Sequence, residues 1–145
     1  MDEVQRNIAI VRRLEDAFNG RDYLLLREII ASAFEGHNPG SNDVTVEELE
    51  ANSEDWHEVL PDKGTEIVSI FGEGDRVVAR IQDRGTNMGG LPWFGIPANG
   101  KAMDMGWLQI TRHDHRDGRI IEMWSVAEVP TLLMQLGAVP GLETK

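Results

Sequence analysis

Apolar positions in the first third of the chain return every three or four residues. Val4, Ile8, Val11, Leu14 (or Glu15) and Phe18 form one such stripe, which predicts an amphipathic helix. Asn19-Gly20 supplies its stop. A second helix is predicted over about residues 22–33, with Leu25, Ile29 and Ala33 on one face, ending before the loop Gly36-His37-Asn38-Pro39-Gly40. Thr45 followed by Glu48 makes a capping box, in which each side chain satisfies a free amide at the helix start. A third helix is therefore expected from there to about Val59, closed by Leu60-Pro61-Asp62.

Beyond that point the period changes from 3.6 to two. Residues 66–71, 76–84, 102–112 and 119–127 are β-rich, separated by Gly72-Glu73-Gly74-Asp75, a Gly/Pro-rich loop over 85–100 and Asp117-Gly118. A short helix is expected around residues 130–136. Helices followed by an antiparallel meander predict an α+β fold of one layer on another, as a single domain over 1–145 with no internal repeat or linker. Helices packed on a long bent sheet enclose a conical hollow, so a pocket is expected on geometry alone.

Composition narrows the chemistry. The 145 residues carry 14 basic and 25 acidic side chains, a net charge of −11, and no cysteine. Disulfides, thiolate metal sites, iron–sulfur clusters and cysteine nucleophiles are excluded together, which suits a reducing cytoplasm. The acidic start Met1-Asp2-Glu3 and the lack of any apolar run of about 18 residues give no sign of export or membrane spanning. Between Asp43 and Asp75 eleven acids face Lys63 alone. Such a surface repels phosphate backbones and anionic lipids, so neither nucleic acid nor membrane is an expected partner.

An ordered set of segments carries a resemblance. Gly36-His37-Asn38-Pro39, Leu60-Pro61-Asp62, Gly74-Asp75-Arg76-Val77-Val78-Ala79-Arg80, Arg84-Gly85-Thr86, Gly95-Ile96-Pro97-Ala98-Asn99-Gly100-Lys101, Asp117-Gly118-Arg119-Ile120-Ile121-Glu122-Met123-Trp124 and Leu132-Leu133-Met134-Gln135-Leu136-Gly137 occur in that order. The chain thereby resembles the SnoaL-like polyketide cyclase (ester cyclase) family of the NTF2-like superfamily. The resemblance implies an NTF2-like conical barrel whose cavity takes a hydrophobic polycyclic ester, and an intramolecular aldol step without metal or organic cofactor. It also places the family's acid/base aspartate at Ser125 and its partner histidine at Gly106, with the histidine after the Gly-Thr pair replaced by Asn87. The frame is kept while the chemistry has changed.

Replacements are sought on the strand faces. Ala102, Asp104, Gly106, Leu108 and Ile110 share one face of their strand, and Met103, Met105, Trp107 and Gln109 the other. If Gly106 faces the cavity, Asp104 does too, and its apolar neighbours suit a general base with a raised pKa. The alternative is an exposed aspartate paired with Arg80 or Lys101. His37 is the second catalytic candidate because its pKa permits proton transfer, against a role in shaping the loop. Expected substrate contacts are Asn38, which also suits holding that loop, Trp56, Asn87, Trp93, Phe94, Gly106, Met123, Ser125 and Glu128. Glu128 suits capping a helix equally well. Glu122 and Trp124 lie on the face opposite Ser125 and read as structural.

His113-Asp114-His115 looks like a metal clip, but its setting beside a turn reads as a solvated hairpin tip, and no metal is expected. Two rival functions share the cavity. One is an epoxide hydrolase or hydroxylase built on Asp83, Arg80 and Asp104, which strand alternation disfavours. The other is a small-molecule-binding module without catalysis. Homo-oligomerisation as a dimer or tetramer is expected through an apolar sheet face formed by Met103, Met105 and Trp107.

Overall fold

The computed structural model describes residues 2–38 and 43–139. Helix α1 (Glu3–Gly20) begins with a capping box between Asp2 and Gln5, and buries Val11, Leu14 and Ala17. It runs through Gly20, and Arg21 makes the left-handed turn at φ 52° that ends it. Helix α2 (Tyr23–Ile29), capped by Asp22, is shorter than its periodicity predicts. The chain turns at Ile30 into strand β1 (Ile30–His37), where the sequence suggested more helix and then a loop. The Leu25, Ile29, Ala33 spacing is a coincidence of register. Ile30 and Phe34 are buried with Leu14, Leu26, Ile120 and Met123, and this packing overrides local propensity. Residues Pro39 and Gly40 of the expected loop lie outside the described residues.

Helix α3 (Val46–Val59) starts where Thr45 accepts from the Glu48 amide, as the capping signal requires. Strands β2 (Gly64–Glu73), β3 (Arg76–Thr86), β4 (Ala102–His113) and β5 (Ile120–Ala127) follow, then helix α4 (Val129–Gln135). The strand order is β1-β5-β4-β3-β2. Four strands form the antiparallel meander, but β1 joins β5 in parallel, so the sheet is mixed and open at its β1 and β2 edges. This α+β arrangement is the NTF2-like fold expected. None of the described helices is long and apolar enough to cross a membrane.

Which way β4 faces decides the rest. Met103 and Met105 are buried at 2% and 1% exposure, while Leu108 on the alternate face is 50% exposed. The inner face therefore carries Met103, Met105, Trp107 and Gln109. This corrects the expected oligomer surface, because those side chains pack against α4 and the long loop instead of presenting a face to a second copy. Three apolar clusters fill the interior. One lies under α1, α2 and β1, one between the end of α3, α4 and the start of β4, and one centres on Val11, Val77, Ala79 and Ile81. Where they fail to meet, the protein is hollow.

The loop 87–101 hangs over that hollow and is organised by Asn87, which is fully buried. Its amide donates to the Pro97 carbonyl and to Asn99 Oδ1, both at 3.1 Å, and accepts from the Gly90 amide at 2.9 Å. Asn87 is thus a structural knot, a correction to its expected place against a substrate. Met88 and Gly89 latch the loop to the Val59 carbonyl. A Cβ on Gly89 would lie 2.3 Å from the Glu58 carbonyl oxygen, so only glycine fits this contact. Asn87→Ala removes three hydrogen bonds and strands a buried amide, which should lower stability by about 2 kcal/mol. For a domain of this size that is a fall of roughly 4–8 °C in melting temperature by differential scanning calorimetry. An unchanged melting temperature would show that the loop is held by other means.

Candidate functional site

The hollow is a cavity of about 390 Å³, within the range of small-ligand pockets. Its helical wall comes from Leu49, Asn52, Ser53 and Trp56 of α3, whose spacing of three and four residues keeps them on one face. The sheet contributes alternate residues: Ile81 and Asp83 from β3, Trp107 and Gln109 from β4, and Met123, Ser125 and Ala127 from β5. Trp93 and Phe94 reach in from a single 3-10 turn of the loop, Pro92–Phe94. Trp56 joins these walls. Its ring lies 5.2 Å from that of Trp93 and 6.4 Å edge-on from that of Trp107. Such offset and edge-on pairs make a rigid apolar surface suited to a flat ligand.

Ionisable side chains also line this cavity. Glu15 of α1 is 7% exposed and Asp83 of β3 is 8% exposed. Lys63, just ahead of β2, brings Nζ to 3.9 Å from Asp83 Oδ1. Thr65 donates to the same oxygen at 2.5 Å. Burial, with the repulsion of Asp83, pushes the Glu15 carboxyl up to about 8, against the pull of Lys63. At neutral pH Glu15 therefore holds a proton while sharing the cavity with Asp83 and the Lys63 ammonium.

Trp107 and Gln109 of the wall each have a side-chain nitrogen, Nε1 and Nε2, that is covered by protein and has no hydrogen-bond partner. The sequence held signals for this site. Glu15 sits in the apolar stripe of α1, and Asp83 continues the inward run Val77, Ala79, Ile81. An acid on an otherwise apolar face is the mark of a buried titratable group. In both cases the apolar neighbours draw the reading towards core packing.

Of the residues expected at the site, Asn38, Trp56, Trp93, Phe94, Met123 and Ser125 line the cavity. Asp104 does not. Its side chain is 50% exposed on the outer face, where Gln82 and Arg84 donate to it, instead of Arg80 or Lys101. The reason is local: Met103 and Met105 take the inner face, and the residue between them must point out. Gly106 shares that outer face. A Cβ there would lie 2.9 Å from the Glu128 carboxylate, so it opens no space in the cavity. Glu128 is exposed and makes no side-chain cap on α4, so neither role expected of it is met.

His37 is likewise not a lining residue. Its Nδ1 meets Asp43 at 3.0 Å, its Nε2 meets Glu122 at 2.8 Å, and its ring stacks on Trp124. Glu122, and then Asp43, raise its pKa. Arg112 holds the other Glu122 oxygen at 2.9 Å, while Arg76 lies over the Trp124 ring. Among the described residues, Glu35, His37 and Glu122 bring ligand-type atoms within 4.8 Å of one another, but His37 and Glu122 are already paired in this way. The His113-Asp114-His115 clip does not form. His113 is wholly buried, bonded to Thr111 and the Gly118 carbonyl, while the exposed His115 pairs with Glu3. Arg80 is exposed and Asp104 is outside, so Asp83 alone of that rival trio reaches the cavity.

Comparison with known proteins agrees with this frame. Residues 8–136 match the family described as SnoaL-like polyketide cyclase. Among solved structures, IdmH from Streptomyces antibioticus, a candidate polyketide cyclase, is 30% identical with a TM-score of 0.80, over 90% of this chain and 98% of that one. AclR from Streptomyces galilaeus, a candidate hydroxylase, is 23% identical with a TM-score of 0.83, over 97% and 87%. An LEH-like epoxide hydrolase from M. tuberculosis is 14% identical with a TM-score of 0.70, over 94% and 93%, a likeness of fold alone. No curated protein sequence matches the chain.

The buried acid makes stability depend on pH with a definite sign. Glu15 titrates near 4.5 when unfolded and near 8 when folded, so between those values the folded state binds the extra proton. The Glu15 contribution is whole below the lower value, declines as pH rises through the window, and levels off above the upper one. Glu15→Gln keeps the shape and removes the titration. Urea unfolding should show this variant gaining on the wild type from pH 5 to pH 8, by a few kcal/mol as an order of magnitude. A constant difference between the two proteins would mean that Glu15 ionises freely.

Proposed function

We propose that this chain, which belongs to the SnoaL-like polyketide cyclase family, is an enzyme that rearranges a hydrophobic, ring-bearing carbonyl compound by aldol-type acid–base chemistry, without metal or organic cofactor. The observation that carries the reading is Glu15, a buried carboxyl that keeps its proton at neutral pH in the same cavity as Asp83 and Lys63. A carboxyl that keeps its proton beside a second carboxyl group supplies the acid of an acid–base pair.

In this reading Asp83 takes a proton from the carbon next to a substrate carbonyl. The enolate so formed attacks a second carbonyl of the same molecule, making the carbon–carbon bond. Glu15 gives its proton to the alkoxide that results, and the proton on Asp83 then returns to Glu15, restoring both groups. The Lys63 ammonium balances the negative charge as it moves through a dry site. The tryptophan walls hold the apolar body so that the two reacting carbons meet, which turns the step into an intramolecular one with its orientation already settled.

A second reading has a specific observation behind it. Two carboxyl groups near one cation could activate a water instead, which gives an epoxide hydrolase built on Glu15, Lys63 and Asp83. Solvent carrying heavy oxygen separates the two, since ring closure incorporates none.

With a polyketide-type ester that can cyclise, Asp83→Asn and Glu15→Gln should each lower kcat by roughly 10²–10⁴-fold. Wild-type kcat/KM should fall as pH rises past about 8, where Glu15 loses its proton, and this limb should be missing in Glu15→Gln. Turnover that survives both substitutions, or that is lost equally in Asp104→Asn, would overturn the assignment.

A further inference from the structure

Away from the cavity, on the outer side of the sheet, β1 and β5 run in parallel with Glu35 opposite Glu122 and His37 opposite Trp124. Glu35 and His37 stand two residues apart, so both point to the same side of β1. One ring nitrogen of His37 and one oxygen from each glutamate lie within 4.8 Å of one another. Like charges facing each other on neighbouring strands are unfavourable. The Glu122 charge is answered by His37 at 2.8 Å and by Arg112 at 2.9 Å. That of Glu35 is not: among the described residues its exposed carboxylate has no hydrogen bond or ion pair.

The cluster also has the support that metal ligands need. A ligating imidazole is oriented when its other nitrogen donates to a carboxylate, and Asp43 stands 3.0 Å from His37 Nδ1. Arg112 donates to Glu122 Oε1, which leaves Oε2 turned towards His37 Nε2. Charge points the same way. Glu35, Asp43 and Glu122 bring three negative charges, against two positive ones from Arg112 and a protonated His37. Arg76, over the Trp124 ring, makes its ion pair with Asp75 instead. A dication in place of the imidazole proton balances the set. One imidazole and two carboxylates suit Zn²⁺ better than Mg²⁺ or Ca²⁺, which favour oxygen alone. Four-coordinate zinc, with bonds of about 2.0–2.2 Å, keeps its ligand atoms about 3.4 Å apart. The His37–Glu122 contact must therefore open by about half an ångström as Glu35 closes in, an adjustment of side chains alone.

We propose that Glu35, His37 and Glu122 form a zinc site on the outer side of the sheet, with water as the fourth ligand, which straps the edge strand β1 to β5 just before the chain leaves for α3. The pairing of these strands shifts register between Ile30 and Glu35, so the far end of β1 is where such a strap has most to hold. The site goes beyond the reading of the cavity and uses none of the residues that carry it.

Calorimetric titration of the full, untagged chain should find one Zn²⁺ bound with a Kd below about 100 μM, and Mg²⁺ at least about a hundredfold weaker. At a hundredfold excess of Zn²⁺ over its Kd the melting temperature should rise by roughly 5–10 °C, and a chelator should reverse the rise. Glu35→Gln should weaken zinc at least about tenfold, His37→Gln more, and Asp43→Asn by about tenfold through the orientation of the ring. Glu35 has no other bond to lose, so its variant carries the test should His37→Gln fail to fold. Nitrogen-15 NMR of the imidazole should place zinc on Nε2 and a proton on Nδ1. The exposed His115, which meets Glu3 and Asp75, is the control. His115→Gln and Glu15→Gln should both bind zinc as the wild type does. Binding no tighter than about 1 mM, an affinity unchanged in Glu35→Gln, or one lost in His115→Gln overturns the proposal. Loss of turnover in Glu15→Gln with zinc binding intact leaves the site standing, and zinc binding lost with turnover intact leaves the cavity reading standing.

Discussion

A strand can commit its side chains to two faces only, and on β4 the large apolar Met103 and Met105 claim the inner one. Every other position on that strand follows. Trp107 and Gln109 are carried inward with the methionines, while Asp104, Leu108 and Arg112 are carried outward. Because β4 pairs with β3 on one side and β5 on the other, its phase is passed along the sheet. Asp83 and Ile81 face in from β3, and Met123 and Ser125 from β5. The polar side chains that the sheet gives the cavity are thus set by where two methionine side chains find an apolar place.

The electrostatics follow from that burial. An acid on the helix, an acid on the sheet and a lysine ahead of β2 come from three distant stretches of chain, and all three side chains are largely buried. There a carboxyl cannot ionise without opposition, and Glu15 keeps its proton well above the usual carboxylate range. His37 illustrates the contrary case. On the outer side it meets two carboxylates and is held towards its charged form, as fits a group tying β1, β5 and the approach to α3 together.

Much of the fold was legible in the chain because its signals are local. The Thr45–Glu48 box gives the start of α3, and alternation finds β2 to β5 to within a few residues at each end. Strand β1 was hidden because Leu25, Ile29 and Ala33 mimic a helical stripe, and its true partner, β5, lies some 90 residues further on. At the site, the two faces of β4 were sorted correctly but the wrong one was turned inward. Gly106 was aligned with a cavity position, and that single premise carried Asp104 with it. The two methionines held the opposite evidence, since two large apolar side chains outweigh one carboxylate in choosing a face. Of the six expected substrate contacts that line the cavity, three are aromatic and Met123 shares the inner face of β5 with Ser125, so that apolar character and position agree.

The long loop is anchored at its base by Asn87 and by its latch to the end of α3, while its aromatic tip, Trp93 and Phe94, sits beyond those fastenings with Trp93 47% exposed. The outer rim of the cavity is therefore held apart from the part that keeps the fold and from the acids on α1 and β3. Substitutions at the tip can reshape the mouth of the cavity at little cost to the scaffold, and leave its buried acids as they are.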